Sequence, residues 1–452
     1  MKKQSYVIKP HLRKDLPVIS HGKGIHLYDQ EGKRYIDGCS GAVCASIGHG
    51  VEEIVQAMID QAKKISFTYR SQFTSEAVES LAKRLSEWAP GDINWSFFVN
   101  SGSEATETAM KIAIQYWQEK GLNGKNKVIS RWMSYHGITM GALSMSGHVL
   151  RRKRFIPLLE EFPVVSPPYC FRCPLAQTFP TCKLACAKEL EIAITRIGEE
   201  NIAAFIAESI IGAAGGAVVP PFGYYQEIRE ICTKHNILFI ADEVMTGMGR
   251  TGANFGIDHW GVTPDIIALG KGMSAGYTPM AAAMVSDQII EEIAGGSASI
   301  MSGHTYSANP QSAAVSLAVV EYMEKNQLVA NARLIGSYLI KELTGLKQQF
   351  SLIGDVRGLG LMVGLELVKS KESLETFPLQ LGITNRLIAK AMEKGLLVYP
   401  ASGGLDGRAG DCVMITPPLN VSIEEIDQII SILEATIQEL SIELIKEGIL
   451  QA

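Results

Sequence analysis

The chain has 452 residues, of which 46% are apolar and 20% charged, and it carries a net charge of −5 with a pI of about 6.0. These values are ordinary for a globular protein and exclude the basic face that nucleic-acid binding needs. No stretch of about 18 residues is free of charges and helix breakers, so no membrane span is expected. The N-terminus lacks the apolar stretch of a secretory signal, which predicts a cytoplasmic protein with its cysteines as thiols.

The N-terminal part predicts a hairpin followed by helices. The segments IHLYD and RYID flank QEGK, with Gly32 at the turn. Amphipathic helices dominate from about residue 51 to 118. The only basic cluster, Arg151-Arg152-Lys153-Arg154, is interpreted as a solvated loop or helix start.

Short apolar runs alternate with helical patterns up to about residue 325. The runs are SFFV, NKVIS, AAFIAE, ILFIAD, IIALG and AAAMV. Strands that are apolar on both faces and separated by helices predict an α/β domain whose mostly parallel central sheet is flanked by helices.

The composition then shifts towards a smaller unit. VRGLGLMVGLELV, GLLVYP and CVMITPP predict strands, and Ser422 with Glu425 forms a capping box that starts the last long helix. We predict a large domain over residues 61–325 and a small α+β domain built from both chain ends, residues 1–60 and 326–452.

Two charged residues follow neighbouring apolar runs. ILFIAD ends at Asp242, and DIIALG is followed by Lys271, which glycines flank. Ligands bind at such strand ends in open α/β folds. Together, an acid that protonates a pyridine nitrogen and an amine that forms a Schiff base suit pyridoxal phosphate. Alone, each residue has an ordinary alternative: an aspartate capping a turn and a lysine on the surface.

A third segment, FFVNSGSEATETAMKIA, leads from a strand into a helix. A Gly-Ser turn at a helix N-terminus offers N–H groups and a favourable dipole to a phosphate. By itself the serine could be a simple N-cap, so this segment gains weight from Asp242 and Lys271.

Several motifs resemble the class III pyridoxal-phosphate aminotransferases of fold type I, over roughly residues 20 to 440. They are FIADEVMTGMGRTG with PDIIALGKGMSAG, then YIDGCSG, NSGSEATETA, SYHG, the AES near residue 208, GHTYSANP and TPPL. The similarity is greatest to the ω-aminotransferase, amine:pyruvate and 8-amino-7-oxononanoate types.

The resemblance implies roles for individual residues. Lys271 would form the Schiff base and, once freed by substrate, serve as general base in ping-pong half-reactions, while Asp242 would pair with the ring nitrogen. Thr305 would reach the phosphate of a neighbouring subunit, which implies a homodimer or a dimer of dimers with shared sites. The other implied cofactor-binding residues are Gly102 and Ser103 at the phosphate, Tyr135 and Val244 on the two ring faces, and Ser101, His136 and Glu208.

The chain departs from the family pattern at three positions. Ser209 replaces the proline that usually follows Glu208. Met245 stands where the ornithine- and 4-aminobutyrate-type members have a glutamine, and no arginine stands three residues before Pro417. The last two departures favour an ω-aminotransferase that transfers the amino group of a primary amine, ω-amino acid or β-amino acid to a keto acid, with pyruvate expected.

Two positions are candidates for substrate contact. Arg408, in the glycine-rich segment GLDGRAGD, would grip a carboxylate with its guanidinium; the alternative is a solvated loop arginine. Val43 lies in a stretch, residues 38–47, that would form a pocket wall.

Half of the eight cysteines lie in one insert with the spacing C-x2-C-x8-C-x3-C, at Cys170, Cys173, Cys182 and Cys186. They could hold a zinc ion or an iron–sulfur cluster, or they could be free thiols.

Other functions share the same parts. An aminomutase or a decarboxylase would use the same lysine, aspartate and phosphate site. A non-catalytic regulator would need a DNA-binding module, for which no segment of the sequence is left.

Overall fold

The computed structural model describes residues 6–10, 12, 15–402 and 407–451. Residues 1–5 of the predicted small domain, and residues 403–406 of the glycine-rich segment before Arg408, lie outside the described residues. No helix in the described ranges is long and apolar enough to cross a membrane.

The N-terminal segment forms a hairpin that pairs with a strand from the C-terminal part. The sheet has the order β1-β2-β3-β13, with strands Ile19–Lys23, His26–Asp29, Arg34–Asp37 and Leu396–Leu397. The predicted hairpin is β2 and β3, and Gly32 takes a φ of 83° in its turn. The parallel pairing of β3 with β13 brings the two chain ends into one sheet. The boundaries at residues 60 and 325 stay a prediction.

The central sheet has seven strands in the order β4-β10-β9-β8-β7-β5-β6. They are β4 Trp95–Val99, β5 Lys127–Arg131, β6 Val164–Val165, β7 Ile202–Glu208, β8 Leu238–Asp242, β9 Ile266–Leu269 and β10 Ala281–Val285. All six predicted apolar runs are strands, so the predicted fold class is confirmed. β10 alone runs antiparallel to its neighbours; its short connection from β9 contains only 3-10 and turn structure, with no crossover helix to return the chain.

Helices cover both faces of the central sheet and pack on the smaller ones. The α-helices are α1 Ser40–Val43, α2 Glu52–Lys64, α3 Glu76–Trp88, α4 Gly102–Glu119, α5 Met140–Met145, α6 Val149–Arg152, α7 Ala185–Ile197, α8 Tyr224–Lys234, α9 Asp287–Gly295, α10 Pro310–Lys325, α11 Leu328–Gln349, α12 Ile383–Glu393 and α13 Ile423–Lys446. Short 3-10 helices span Ile156–Leu158, Cys170–Arg172, Glu199–Asn201, Gly256–Trp260, Lys271–Met273 and Leu379–Leu381.

A third sheet, in the C-terminal part, is antiparallel with the order β11-β12-β15-β14. Its strands are Ile353–Leu359, Met362–Leu367, Asp411–Ile415 and Tyr399–Ser402. The final helix, α13, starts at the predicted Ser422, whose side chain accepts from Glu425 N while Glu425 accepts from Ser422 N. The capping box is therefore confirmed.

A buried ion cluster, which we call the Glu366 cluster, joins the cysteine insert to the third sheet. It consists of Tyr169, Arg172, Arg357 and Glu366. The Glu366 side chain is fully buried and accepts hydrogen bonds from Tyr169 Oη, from Arg172 Nε at 2.8 Å and from Arg357 Nη1 at 2.7 Å. Arg357 Nη2 also donates to the carbonyl of Gly215. The three hydrogen bonds to the carboxylate offset much of the desolvation free energy that its burial costs.

The four cysteines of the insert are free thiols. Cys170 is exposed, while Cys173, Cys182 and Cys186 are half-buried. Burial, together with the other three thiols, raises the pKa of Cys186 to about 12. Within the described residues, no group of histidine, cysteine or carboxylate side chains has an arrangement that could hold a metal ion.

Candidate active site

The carboxyl ends of β7, β8 and β9 and the start of α4 surround one cavity. Eight residues predicted from the sequence line it: Gly102, Ser103, Tyr135, His136, Glu208, Asp242, Val244 and Lys271. Five further residues complete its lining: Gly137, Ile210, Ala213, Met245 and Thr246. Parallel strands place their carboxyl ends at the same edge of a sheet, which is why residues far apart in the chain meet here.

Asp242 is the last residue of β8 and is only 4% exposed. Its Oδ2 lies 2.7 Å from His136 Nδ1, and its Oδ1 accepts from Val244 N at 3.0 Å. The other ring nitrogen of His136, Nε2, is buried without a partner among the described residues. The histidine thus fixes the orientation of a carboxylate that faces the cavity.

Lys271 follows β9 at the start of a 3-10 turn and takes a φ of 42°. A side chain in this left-handed region strains the backbone, and such strain is characteristic of functional sites. Within the described part of the chain, no hydrogen bond or ion pair holds its Nζ. Burial lowers the pKa of the Lys271 ammonium, while Cys44, Asp242 and Glu208 oppose that effect. The residue therefore offers the cavity an amine that loses its proton more readily than a surface lysine does.

The first turn of α4 forms another side of the cavity. Ser101 caps the helix by accepting from Glu104 N at 3.3 Å. The other N–H groups of the first turn have no intrahelical acceptors, as at the start of any α-helix. A Cβ on Gly102 would lie 2.7 Å from Val244 Cγ1, which makes glycine necessary at this close approach. Ser103 Oγ accepts from Ile138 N at 3.0 Å. This turn has the donors and the dipole that suit a phosphate.

Glu208 ends β7, with both carboxylate oxygens engaged. Oε1 accepts from Tyr135 N and Oε2 from Gly212 N, each at 2.9 Å. The buried guanidinium of Arg131 donates to the Glu208 carbonyl at 2.6 Å and fixes the strand end. Burial raises the pKa of Glu208, and Asp242 raises it further. Glu208 thereby holds the Tyr135 backbone and the turn after β7 in place.

The serine that replaces the family's proline has a partner in the fold. Ser209 Oγ donates to the buried carboxylate of Glu243, the residue after Asp242. Glu243 also accepts from Thr246 Oγ1 and from the backbone N–H groups of Gly256 and Ile257. Burial raises the pKa of Glu243 to about 7, and these four donors oppose the rise. The substitution thus ties the end of β7 to the turn after β8.

Four predicted residues do not line this cavity. Ser101 serves as the helix cap, and Thr305 is exposed on the surface. Val43 is 2% exposed and packs in the hydrophobic core. Its neighbour Cys44 interacts with Lys271 instead. Arg408 lies in the loop between β14 and β15.

Sequence reasoning missed Tyr399, on β14. Burial raises the pKa of its hydroxyl; Arg151 lowers it, and Tyr135, Cys39 and Glu208 raise it. The side chain is thus close to the cavity residues although it comes from the third sheet. No local pattern marks it, because its strand and the cavity meet only through the tertiary fold.

The residues present suit pyridoxal phosphate. The cavity offers the Lys271 amine, which has no hydrogen-bond partner among the described residues, a buried carboxylate at Asp242, and the N–H groups of the Gly102-Ser103 turn. The amine suits the cofactor's aldehyde, the carboxylate suits its ring nitrogen, and the N–H groups suit its phosphate.

Comparisons with known proteins agree with this site. The family model "Aminotransferase class-III" matches residues 9–437. The uncharacterized aminotransferase YodT of Bacillus subtilis is 50% identical over 98% of this chain and 100% of its own length. The putrescine–pyruvate aminotransferase of Pseudomonas aeruginosa is 35% identical over 92% of this chain and 89% of its own. Among solved structures, a thermostable (S)-enantioselective ω-transaminase from Thermomicrobium roseum has a TM-score of 0.89 at 37% identity, covering 95% of this chain and 93% of that one.

Proposed function

The chain belongs to the class III aminotransferases, which depend on pyridoxal phosphate, and we propose that it transfers the amino group of a primary amine, an ω-amino acid or a β-amino acid to pyruvate. The observation that carries the proposal is the meeting of Lys271, Asp242 and the Gly102-Ser103 turn in a cavity where Met245 takes the glutamine position. The bound cofactor would supply the aldehyde that captures the amine and the ring that takes up negative charge.

Each residue of the chain then has a defined task. Lys271 would hold the cofactor through its Nζ, and Asp242, oriented by His136, would keep the ring nitrogen protonated. The first turn of α4 would bind the phosphate, and Tyr135 and Val244 would pack against the two faces of the ring. These assignments are proposals that rest on the positions of the side chains around the cavity.

Lys271 is also the best-placed general base. Its ammonium has a lowered pKa because of burial, so the neutral amine is more abundant near neutral pH than on a surface lysine. A neutral amine beside the reacting carbon can accept a proton and return it to a neighbouring atom. Asp242 and Glu208 would stabilise the lysine once it has been protonated.

The side chain of Met245, the absence of an arginine before Pro417 and one relative support pyruvate as the acceptor. Met245 lines the cavity and offers only a weakly accepting thioether where a glutamine would donate hydrogen bonds. The residues before Pro417 are Met414, Ile415 and Thr416; all are buried, and none is an arginine. The relative from Pseudomonas aeruginosa is named for pyruvate. Together these features favour pyruvate over 2-oxoglutarate.

A half-reaction experiment tests the proposed function. The holoenzyme is mixed with one donor at a time from a panel of amines, β-amino acids and ω-amino acids, and the cofactor absorbance is followed. We expect the absorbance near the visible edge to be lost while a carbonyl product is released. The absorbance should return when pyruvate is added. Carbon dioxide as the product would instead show a decarboxylase, and a product with its amino group moved along the same carbon chain would show an aminomutase.

We predict that Arg408→Ala weakens binding of pyruvate selectively. If the guanidinium binds the carboxylate bidentately, its loss should raise the apparent binding constant for pyruvate by about tenfold or more. The constant for a simple amine should stay within about a factor of two. Steady-state kinetics with both substrates measures this ratio, and an equal rise for both would show that Arg408 has no role in carboxylate binding.

We also propose that the active enzyme is a cytoplasmic homodimer or a dimer of dimers. Thr305 is exposed and does not line the cavity of its own chain, as expected of a residue that serves the phosphate site of a partner. The cysteines, all free thiols, suit a reducing compartment. Light scattering of the holoenzyme measures the assembly; a monomer with full activity would contradict the shared site.

A further inference from the structure

The basic cluster Arg151-Arg152-Lys153-Arg154 divides into side chains with different surroundings. Arg152 is structural: its Nη1 donates to the carbonyls of Leu143, Ser144 and Ser146 at 2.8–3.0 Å and so closes the end of α5. Arg151 does not do this. Its guanidinium carbon lies 4.6 Å from the centroid of the Tyr135 ring. The interpretation of the cluster as a helix start is thus correct for α6, but Arg151 is not simply solvated.

The position of Arg151 places it at the mouth of the cofactor cavity. Exposure increases outwards from Asp242, which is buried, through Tyr135, which is half-buried, to Arg151, which is exposed. Tyr399 also interacts with the Arg151 guanidinium. Arg151 therefore lies against the Tyr135 ring on the exposed side of the site, outside the set of residues that line the cavity.

The candidate Arg408 belongs to the same corner of the molecule. A Cβ on Gly407 would lie 2.9 Å from Val149 Cγ2, in the same short helix as Arg151. His148, which precedes this helix, packs edge-on against Tyr135 with ring centroids 6.2 Å apart. Burial and Arg151 lower its pKa to about 4. Since His148 is neutral at neutral pH, Arg151 is the positive charge over this aromatic wall.

The contact of Arg151 with the Tyr135 ring occupies none of its N–H donors with a hydrogen bond. A guanidinium that lies over an aromatic ring uses its planar face, while its N–H donors point outwards in the plane. Among the described residues, no carboxylate forms an ion pair with Arg151. Held by Tyr135 and without an anionic partner, the fork is preorganised for a planar carboxylate from outside.

We propose that Arg151 is a specificity-determining residue that binds the distal carboxylate of a long ω-amino acid substrate. The amine would reach Lys271 inside the cavity while the chain's far end extends past Tyr135 to the guanidinium. The inference rests on the proposed function and narrows its donor class. A carboxylate next to the reacting carbon would instead be bound by Arg408.

Two pairs of donors isolate the distal carboxylate. 6-Aminohexanoate and hexylamine differ in the carboxylate at the far end, and L-alanine and isopropylamine differ in one at the reacting carbon. In half-reactions of the holoenzyme, Arg151→Gln should raise the apparent dissociation constant for 6-aminohexanoate by about tenfold. The constants for the other three donors should change by less than about a factor of two. Lys153→Gln, which removes an exposed charge from the same segment, is the matched control.

Two results would overturn the assignment. An equal change in the dissociation constants of 6-aminohexanoate and hexylamine would mean that Arg151 only supports Tyr135. An equal change from Lys153→Gln would mean that the basic cluster as a whole attracts the carboxylate electrostatically. Binding of hexanoate to the holoenzyme, followed by protein fluorescence, repeats the comparison without turnover. If no donor reacts with the wild type, the proposed function fails, while weaker hexanoate binding in Arg151→Gln alone would still support the carboxylate site.

Discussion

Lys271→Ala is expected to abolish amino transfer and to remove the cofactor absorbance near the visible edge. The cavity has no other lysine in its lining, so the described part of the chain offers no second amine to hold the cofactor or to move the proton. Losing covalent capture and general-base catalysis together should leave activity at the detection limit, because general-base catalysis alone contributes about a hundredfold to ten-thousandfold. Absorbance spectra and steady-state rates measure both effects.

The control for this variant must separate chemistry from folding. Lys271→Arg keeps a positive charge in the cavity but cannot form the imine, and it should be as inactive as the alanine variant. The unfolding midpoint of both variants in urea should stay close to that of the wild type without cofactor. Substantial turnover by either variant, with the spectrum preserved, would refute the role of Lys271.

The residues that could be predicted from the sequence are those at strand ends. Asp242 and Lys271 each follow an apolar run that forms a strand, and parallel strands deliver their ends to one edge. The cavity-lining role of Gly102 could be predicted for a similar reason, because a glycine at a helix start is a local signal. For these residues the local pattern and the topology together fix the position of the side chain.

The residues that could not be predicted owe their roles to long-range contacts. Tyr399 reaches the site from another sheet, and Arg151 gains its meaning only from the ring of Tyr135. Val43 is buried in the core and does not line the cavity, and its predicted contact with substrate stays a prediction. The antiparallel direction of β10 could not be predicted either, because an apolar run predicts a strand but does not give its direction.

The Glu366 cluster leads to the largest expected effect on stability. Glu366 is the only described side-chain acceptor shared by Arg172 and Arg357, and neither guanidinium is fully satisfied: Arg172 Nη2 and Arg357 Nε are buried without partners. Glu366→Gln preserves the shape of the side chain but removes the negative charge. The nearly buried Arg172 would then have no anionic partner among the described residues, while Arg357 would keep only Asp355, at 3.0 Å. This loss should lower the free energy of unfolding by about 3 kcal/mol.

Urea unfolding of the apoenzyme measures this loss, and Glu375→Gln provides the control. Glu375 pairs with Lys369 at 2.7 Å on the surface, so its replacement should cost less than about 1 kcal/mol. Glu366→Gln should also loosen the turn after β7, because Arg357 holds the Gly215 carbonyl in the segment that brings Ile210 and Ala213 to the cavity wall. The affinity for bulky amino donors should fall together with the stability. Equal stability of the two variants would mean that the cluster is solvated well enough to lose its carboxylate without cost.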